Sequence, residues 1–234
     1  MQLHPKRILP RKVHQAEHFM KESTSREKVL KRVRDALVNS LPDPFPDTDM
    51  EGVVFHDPEN IFREEIFASA FKMNGGHFVF SSDIHEMAEN IRTLLKKKQI
   101  NSLYCRERFL MDLLEAIQFP FEQDPSRLHL CDAALTGCEA LVARHGCLVM
   151  SSRQQSGRRS VPAAPIHIVV ASSLQIVDDI DDAMRSLEIK YGEEPPSFVT
   201  FVSGPSRTAD IEKTLIYGAH GPEEIYLFLY DPVK

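Results

Sequence analysis

Apolar residues recur at helical spacing where the chain first shows order. Ser25-Arg26-Glu27-Lys28 is followed by Val29, Leu30, Val33, Leu37 and Val38, which predicts a helix opening near Ser25, and Pro42, Pro44 and Pro46 end it. Residues 1–22, interrupted by Pro5 and Pro10, hold no sustained period and read as an irregular leader. Beyond the prolines, Gly52-Val53-Val54-Phe55 has the pattern of a short strand.

From there the two periods alternate. Ile61, Phe62, Ile66, Phe67 and Ala70 predict a helix, His77-Phe78-Val79-Phe80 a strand, and Ile84, Met87, Ile91, Leu94 and Leu95 a second helix. Ser102-Leu103-Tyr104-Cys105 then reads as a strand, and Phe109, Leu110, Leu113, Leu114 and Ile117 as a third helix. Further strands are predicted over 147–151, 166–171, 198–202 and 225–230. A helix is predicted between the second and third of these, opening somewhere in 176–182 and running through Ala183, Met184 and Leu187. Strands separated by helices imply crossovers, and so a mainly parallel sheet covered on both faces: an α/β fold. The boundary between an N-terminal arm with its tether helix (1–50) and the main domain (51–234) is placed in the proline-rich stretch.

Composition narrows the classes. With 234 residues, 42% of them hydrophobic, the chain can bury a core. Apolar stretches such as 166–171 fall far short of the roughly 20 residues of a membrane helix, so no span is expected. Nothing near the start resembles a secretory leader, and a cytoplasmic location is expected. Cys105, Cys131, Cys138 and Cys147 contain no C-x-x-C pair and are read as reduced, buried thiols rather than metal or cluster ligands. Residues 1–34 carry ten Lys/Arg against three Asp/Glu, a net of +7, leaving −13 on the rest of the chain. This basic arm lacks the interleaved aromatics of a base-stacking surface, so nucleic acid is not an expected partner. Docking on its own acidic body or a neighbouring subunit fits better, with homo-oligomer formation left open.

Three segments hold the candidate chemistry. In the first, the strand 198–202 runs into Ser203-Gly204-Pro205-Ser206-Arg207-Thr208-Ala209-Asp210, where a helix is expected to start. That arrangement would set backbone amides and a guanidinium at the carboxyl edge of a sheet, a place suited to an anion, although Asp210 and Glu212 compete for the helix dipole. The alternative is a helix cap from Ser206 or Thr208, with Arg207 paired to those acids. In the second, Gly218-Ala219-His220-Gly221-Pro222 is expected to stop a helix, with His220 able to carry a proton. The third is Thr136-Gly137-Cys138-Glu139, with Glu139 in the first turn of a short helix as acid, base, nucleophile or mere dipole complement, followed later by Gly157-Arg158-Arg159. Asp178, Asp179, Asp181 and Asp182 are read as complementing a helix dipole rather than holding a cation.

Together, Thr136-Gly137-Cys138-Glu139-Ala140, Gly157-Arg158-Arg159, Pro165-Ile166-His167-Ile168-Val169-Val170, Ile176-Val177, Ser203–Glu212 and Gly218–Pro222 resemble the LUD domain of the lactate-utilization protein C family, also called YkgG. The opening helix is similar to that family's usual start. The resemblance implies a three-layer α/β/α fold of the NagB/RpiA/CoA-transferase type. It also implies a role as an accessory or ligand-binding subunit beside iron–sulfur proteins that oxidise L-lactate to pyruvate, with no cofactor on this chain and the clusters on the partner subunits. The fold relationship leaves open a stand-alone enzyme acting on a phosphorylated sugar, a CoA ester or a folate-like substrate. The expected pocket gathers Thr136, Gly137, Glu139, Arg158 and Arg159 from one side and Ser203, Gly204, Ser206, Arg207, Thr208, Asp210 and His220 from the other, with Glu139 and His220 catalytic and a small anionic ligand held by Arg207.

One departure stands out. Where relatives commonly have Ala-Glu-Thr-Gly-Thr, this chain has Ala143-Arg144-His145-Gly146-Cys147, exchanging an acid and two hydroxyls for a cation, an imidazole and a thiol. If that acid were a catalytic base, this member has lost it.

Overall fold

The computed structural model describes residues 24–38, 62–157, 163–208, 216–218 and 221–232. The chain divides into two units, residues 1–56 and 57–234. In the first, α1 (Ser25–Val38) opens on a reciprocal cap: the Glu27 amide donates to Thr24 Oγ1 and the Thr24 amide to Glu27 Oε2 at 2.8 Å. The strand expected at 52–55 lies outside the described residues.

The second unit is built on five parallel strands in the order β1 (His77–Ser81), β11 (Glu224–Tyr230), β6 (Ile166–Ser172), β3 (Ala133–Thr136), β2 (Leu103–Tyr104). After β1 the chain crosses the full width of the sheet through α3 (Ile84–Lys97) to β2. It then steps back through α4 (Arg108–Ala116), β3 and β6 to β11, beside where it began.

Helices α3 and α4 cover one face. Met87, Ile91, Leu94 and Leu95 recur at the helical period and are buried with Leu110, Leu113 and Leu114 against Leu135, Ile168, Val170 and Phe228. Each such side chain contributes about 2 kcal/mol on burial. Asp83 starts α3 by accepting the amides of His85 and Glu86, both at 2.8 Å.

The other face is where the sequence reading falls short. It is covered by α2 (Arg63–Met73), through Phe67 and Phe71, and by a second, four-stranded sheet in the order β7 (Ile176–Val177), β4 (Ala140–Val142), β5 (Cys147–Ser151), β8 (Val199–Val202). In it β4–β5 and β5–β8 are antiparallel. Thus 147–151 and 198–202, expected as parallel strands, form a separate mixed sheet whose far face is closed by α5 (Ile180–Tyr191) through Ala183 and Leu187. The helix expected to open within 176–182 is preceded by β7 and begins at Ile180, capped by Asp179 in a capping box with Asp182. Glu139 does not begin a helix; it leads into the β4–β5 hairpin.

Among the described residues no helix is long and apolar enough to cross a membrane. All four cysteines are buried as free thiols. Burial pushes the thiols up, Cys105 to about 12 and Cys147 to about 11, and Cys138 is raised further by the charges of Glu107 and Glu139, so none is poised as a thiolate nucleophile.

Candidate functional site

Gly137, Cys138 and Glu139 carry the chain from the carboxyl end of β3 in the main sheet to β4 in the second sheet, and every member of this link is held. The Gly137 amide donates to Glu107 Oε2 at 3.0 Å, the Cys138 carbonyl accepts from Gln175 Nε2 at 2.7 Å, and the Glu139 amide donates to the Val149 carbonyl at 2.8 Å. Gly137 is needed here for a steric reason, since a Cβ would lie 2.7 Å from Glu107 Oε2. Thr136 Oγ1 lies 2.9 Å from the Gly137 carbonyl, to which it donates, and 2.8 Å from Nε2 of the fully buried His167 on β6. With the hydroxyl proton on that carbonyl, Nε2 is the donor and Nδ1 carries the lone pair. Among the described residues Nδ1 has no hydrogen-bond partner, and burial lowers the imidazole to about 4, so it is neutral.

Two carboxyl groups flank the link. The Glu139 side chain is 1% exposed. Its Oε1 accepts from Ser151 Oγ and from Tyr191 Oη at 2.7 Å, and its Oε2 from Lys190 Nζ at 2.7 Å. Burial raises its pKa, but the hydrogen bonds from Lys190, Ser151 and Tyr191 outweigh that and hold it below the usual carboxylate range. Both oxygens are spent on tying α5 and β5 to the link, so Glu139 is an ionised anchor.

Glu107, at the start of α4, is the opposite case. Oε1 accepts from Ser156 Oγ at 2.7 Å and Oε2 takes the Gly137 amide. Burial raises its pKa beyond what those two bonds offset, and the charge of Glu139 adds to the rise. Two carboxyls pushed in opposite directions, beside a helix start at the carboxyl ends of parallel strands, form an arrangement that can hold a proton on one group and a charge on the other. The sequence reading missed Glu107, whose neighbours Arg106 and Arg108 make it look like a solvated charge; the signal lay in Gly137, which requires a close approach.

The second expected half of the pocket lies elsewhere. The Ser203–Arg207 segment follows β8 at the hairpin-turn end of the second sheet, while Glu139 sits at the Ser151 end, roughly 10 Å of strand away. Ser206 bonds the Pro222 carbonyl through its amide at 2.8 Å and accepts the Gly218 amide at 3.1 Å, and the Glu223 amide bonds the Pro165 carbonyl, so this loop is at the amino ends of β6 and β11. The expectation of a carboxyl-edge anion loop is therefore corrected: β8 belongs to the other sheet. Arg207–Thr208 (β9) pairs antiparallel with Ile216–Tyr217 (β10), which immediately precedes Gly218, and residues 209–215, where the helix is expected to run, lie outside the described residues.

Arg207 serves the end of α2. Its Nη2 donates to the Asn74 carbonyl at 2.8 Å, and its guanidinium lies where a Cβ on Gly75 would be. Gly204 abuts the same Asn74 carbonyl, and Asn74 Nδ2 donates to the His145 carbonyl at 2.9 Å. The residues that depart from the family pattern occupy this hairpin turn, with Arg144 Nε 3.1 Å and His145 Nδ1 3.8 Å from the Asp179 carboxylate. Ser203 is exposed beyond β8. Arg158, Arg159, Asp210 and His220, and the side chain of Thr208, lie outside the described residues. The structure thus brings Thr136, Gly137 and Glu139 together with Glu107, and Gly204, Ser206 and Arg207 together at the other end.

A crystal structure of a DUF162 family protein from Deinococcus radiodurans matches with a TM-score of 0.54 over 73% of this chain and 99% of that one, at 19% identity, a likeness of fold. Lactate utilization protein C of the same species is 31% identical over 105 residues, 44% of this chain and 49% of that protein. Lactate utilization protein C of Bacillus pumilus is 34% identical over 93 residues, 38% and 39% of the two chains. An uncharacterized protein of Neisseria meningitidis is 30% identical over 122 residues, 51% and 52%. The chain therefore spans about half the length, or less, of these curated relatives. Residues 64–230, nearly all of the second unit, match the LUD domain, and the chain belongs to the LUD domain family.

Proposed function

We propose that this protein acts in lactate utilization, as the LUD-domain subunit working beside iron–sulfur proteins that oxidise L-lactate to pyruvate, with the redox centres on those partners. The observation that carries this reading is family membership joined to relatives named lactate utilization protein C. Within it, the ligand is a small carboxylate bound at the carboxyl ends of the strands beside Glu107, whose pKa burial raises, with Glu139 holding the link in place. The chain runs on from Ser156 as Gly157-Arg158-Arg159, which supplies two cations close in sequence to the Glu107 partner. Gly204, Ser206 and Arg207 lie at the other end of the fold, while His220 and Asp210 lie outside the described residues.

The test is growth on L-lactate as sole carbon source. Deleting the gene should abolish growth on lactate and spare growth on pyruvate, and complementation should succeed with the wild type and fail with Glu107→Ala or with Arg158→Ala/Arg159→Ala. Unimpaired growth of the deletion strain on lactate would overturn the proposal.

The divergent Glu107 and Glu139 pair also favours a second reading, an enzyme that turns over without partners. The purified chain would then act on a phosphorylated sugar, a CoA ester or a folate-like compound, and Glu107→Gln would reduce kcat more than KM. Absence of turnover with all three classes would remove it.

A further inference from the structure

The two edges of the parallel sheet are treated differently. At the β2 edge the segment around Glu122 closes the sheet: the Cys105 amide bonds the Glu122 carbonyl at 3.0 Å and the Glu122 amide bonds the Leu103 carbonyl at 2.8 Å. At the β1 edge, among the described residues, no strand or loop does the same. Nor does the β1 sequence, His-Phe-Val-Phe-Ser, carry the lysine, proline or bulge that commonly protects an open edge.

Open grooves flank this edge on both faces. On the α3 side a groove of about 630 Å³ runs along Gly75–Val79 between Lys72 and Lys97. On the α2 side one of about 560 Å³ is floored by Phe78 and Phe80 and bordered by Glu65 and Ala68. Phe80 is 48% exposed, and Phe62 and Met73, bracketing α2, are 73% and 79% exposed.

We propose that β1 is the two-fold interface of a homodimer, pairing antiparallel with β1 of a second copy to give one continuous sheet. A pairing centred on Val79 sets Phe78 opposite the copy's Phe80, an aromatic cross-strand contact. The charge pattern selects this occupant. Glu65, Ala68 and Lys72 share one face of α2, and Glu86, Asn90 and Lys97 one face of α3, each with its acid near the start and its lysine near the end. A two-fold axis through β1 lays each helix antiparallel to its copy, acid against lysine on both faces. A parallel addition would set acid against acid.

Sedimentation of the full chain over a concentration series, with hydrogen exchange at Phe78–Phe80, tests this. The expected result is a reversible dimer whose β1 amides become protected as it forms. Lys72→Glu alone or Glu65→Lys alone should raise the dissociation constant about tenfold, and the double exchange should restore it, because the pair is re-formed across the axis. Phe80→Glu should give a monomer with an unchanged near-ultraviolet circular dichroism spectrum. A monomer at every concentration, a dimer whose β1 amides exchange as they do at dilution, or a double exchange no better than either single one would overturn the proposal.

Discussion

The carboxylate of Glu107, at the start of α4, accepts the backbone N–H of Gly137 at 3.0 Å, at the point where the chain leaves the parallel sheet for the second one. A helix start is thereby fastened to the link between sheets by a group that carries little room for change.

Gly137→Ala follows directly. The added methyl would sit 2.7 Å from Glu107 Oε2, so the carboxylate must shift away from the amide it accepts. The protein should lose about 1–3 kcal/mol, the cost of a buried amide without its acceptor, measurable by urea unfolding. Its ligand response should fall with it; an unaffected midpoint would show that Glu107 does not depend on this contact.

Glu107→Gln should act with a definite sign in pH. The folded-state pKa of Glu107 is raised above its ordinary 4.5, so its contribution to stability is fully present below that value and is lost as pH rises through the folded pKa. The glutamine variant, which imitates the protonated acid, should be more thermostable than the wild type at pH 8 and no different at pH 4. Thermal melts across that range check it, and an equal shift at both ends would contradict the raised pKa.

His167 titrates the other way. Its pKa falls from 6.5 to about 4, so the unfolded chain binds the proton more readily between those values, and stability is lost as pH drops from 6.5 toward 4. The loss from this group amounts to roughly 3 kcal/mol. In His167→Gln, which keeps a donor for Thr136, the slope of unfolding free energy in that window should flatten; an unchanged slope would mean the imidazole is protonated in the fold.

Gly146→Ala should be the most damaging of these changes. Gly146 has φ +57° and its hydrogen faces the Phe71 amide and Ala70 of α2, where a methyl has no space. A loss of more than about 3 kcal/mol is expected, with exposure of the Phe67–Phe71 cluster to a hydrophobic dye. Soluble, fully stable protein would show that the hairpin turn can lift from α2.

The elements themselves were legible because period-two and period-3.6 patterns report local geometry. Met87, Ile91, Leu94 and Leu95 could only be one face of a helix, and the LUD motifs could be recognised as residues in order. Partnership was not legible. The apolar runs 147–151 and 166–171 look alike along the chain, yet one pairs antiparallel in a hairpin and the other parallel in the main sheet, because burial on both faces is the same whichever sheet supplies it. That single ambiguity moved Arg207 from the amino edge, where it meets Asn74, to the carboxyl edge in the reading. Glu107 was hidden for a different reason: a lone acid between two arginines carries no period, and only the three-dimensional approach of Gly137 gives it meaning.

The position of β11 sets the order in which this fold can be completed. It is the last of the described strands, yet it lies between β1 and β6, pairing Phe78 with Leu227, about 150 residues later. During synthesis β1 waits without β11 while the residues between them are made, and the sheet closes only when β11 slides into the gap. A ribosome-stalled chain lacking β11 should therefore be the form most dependent on chaperones.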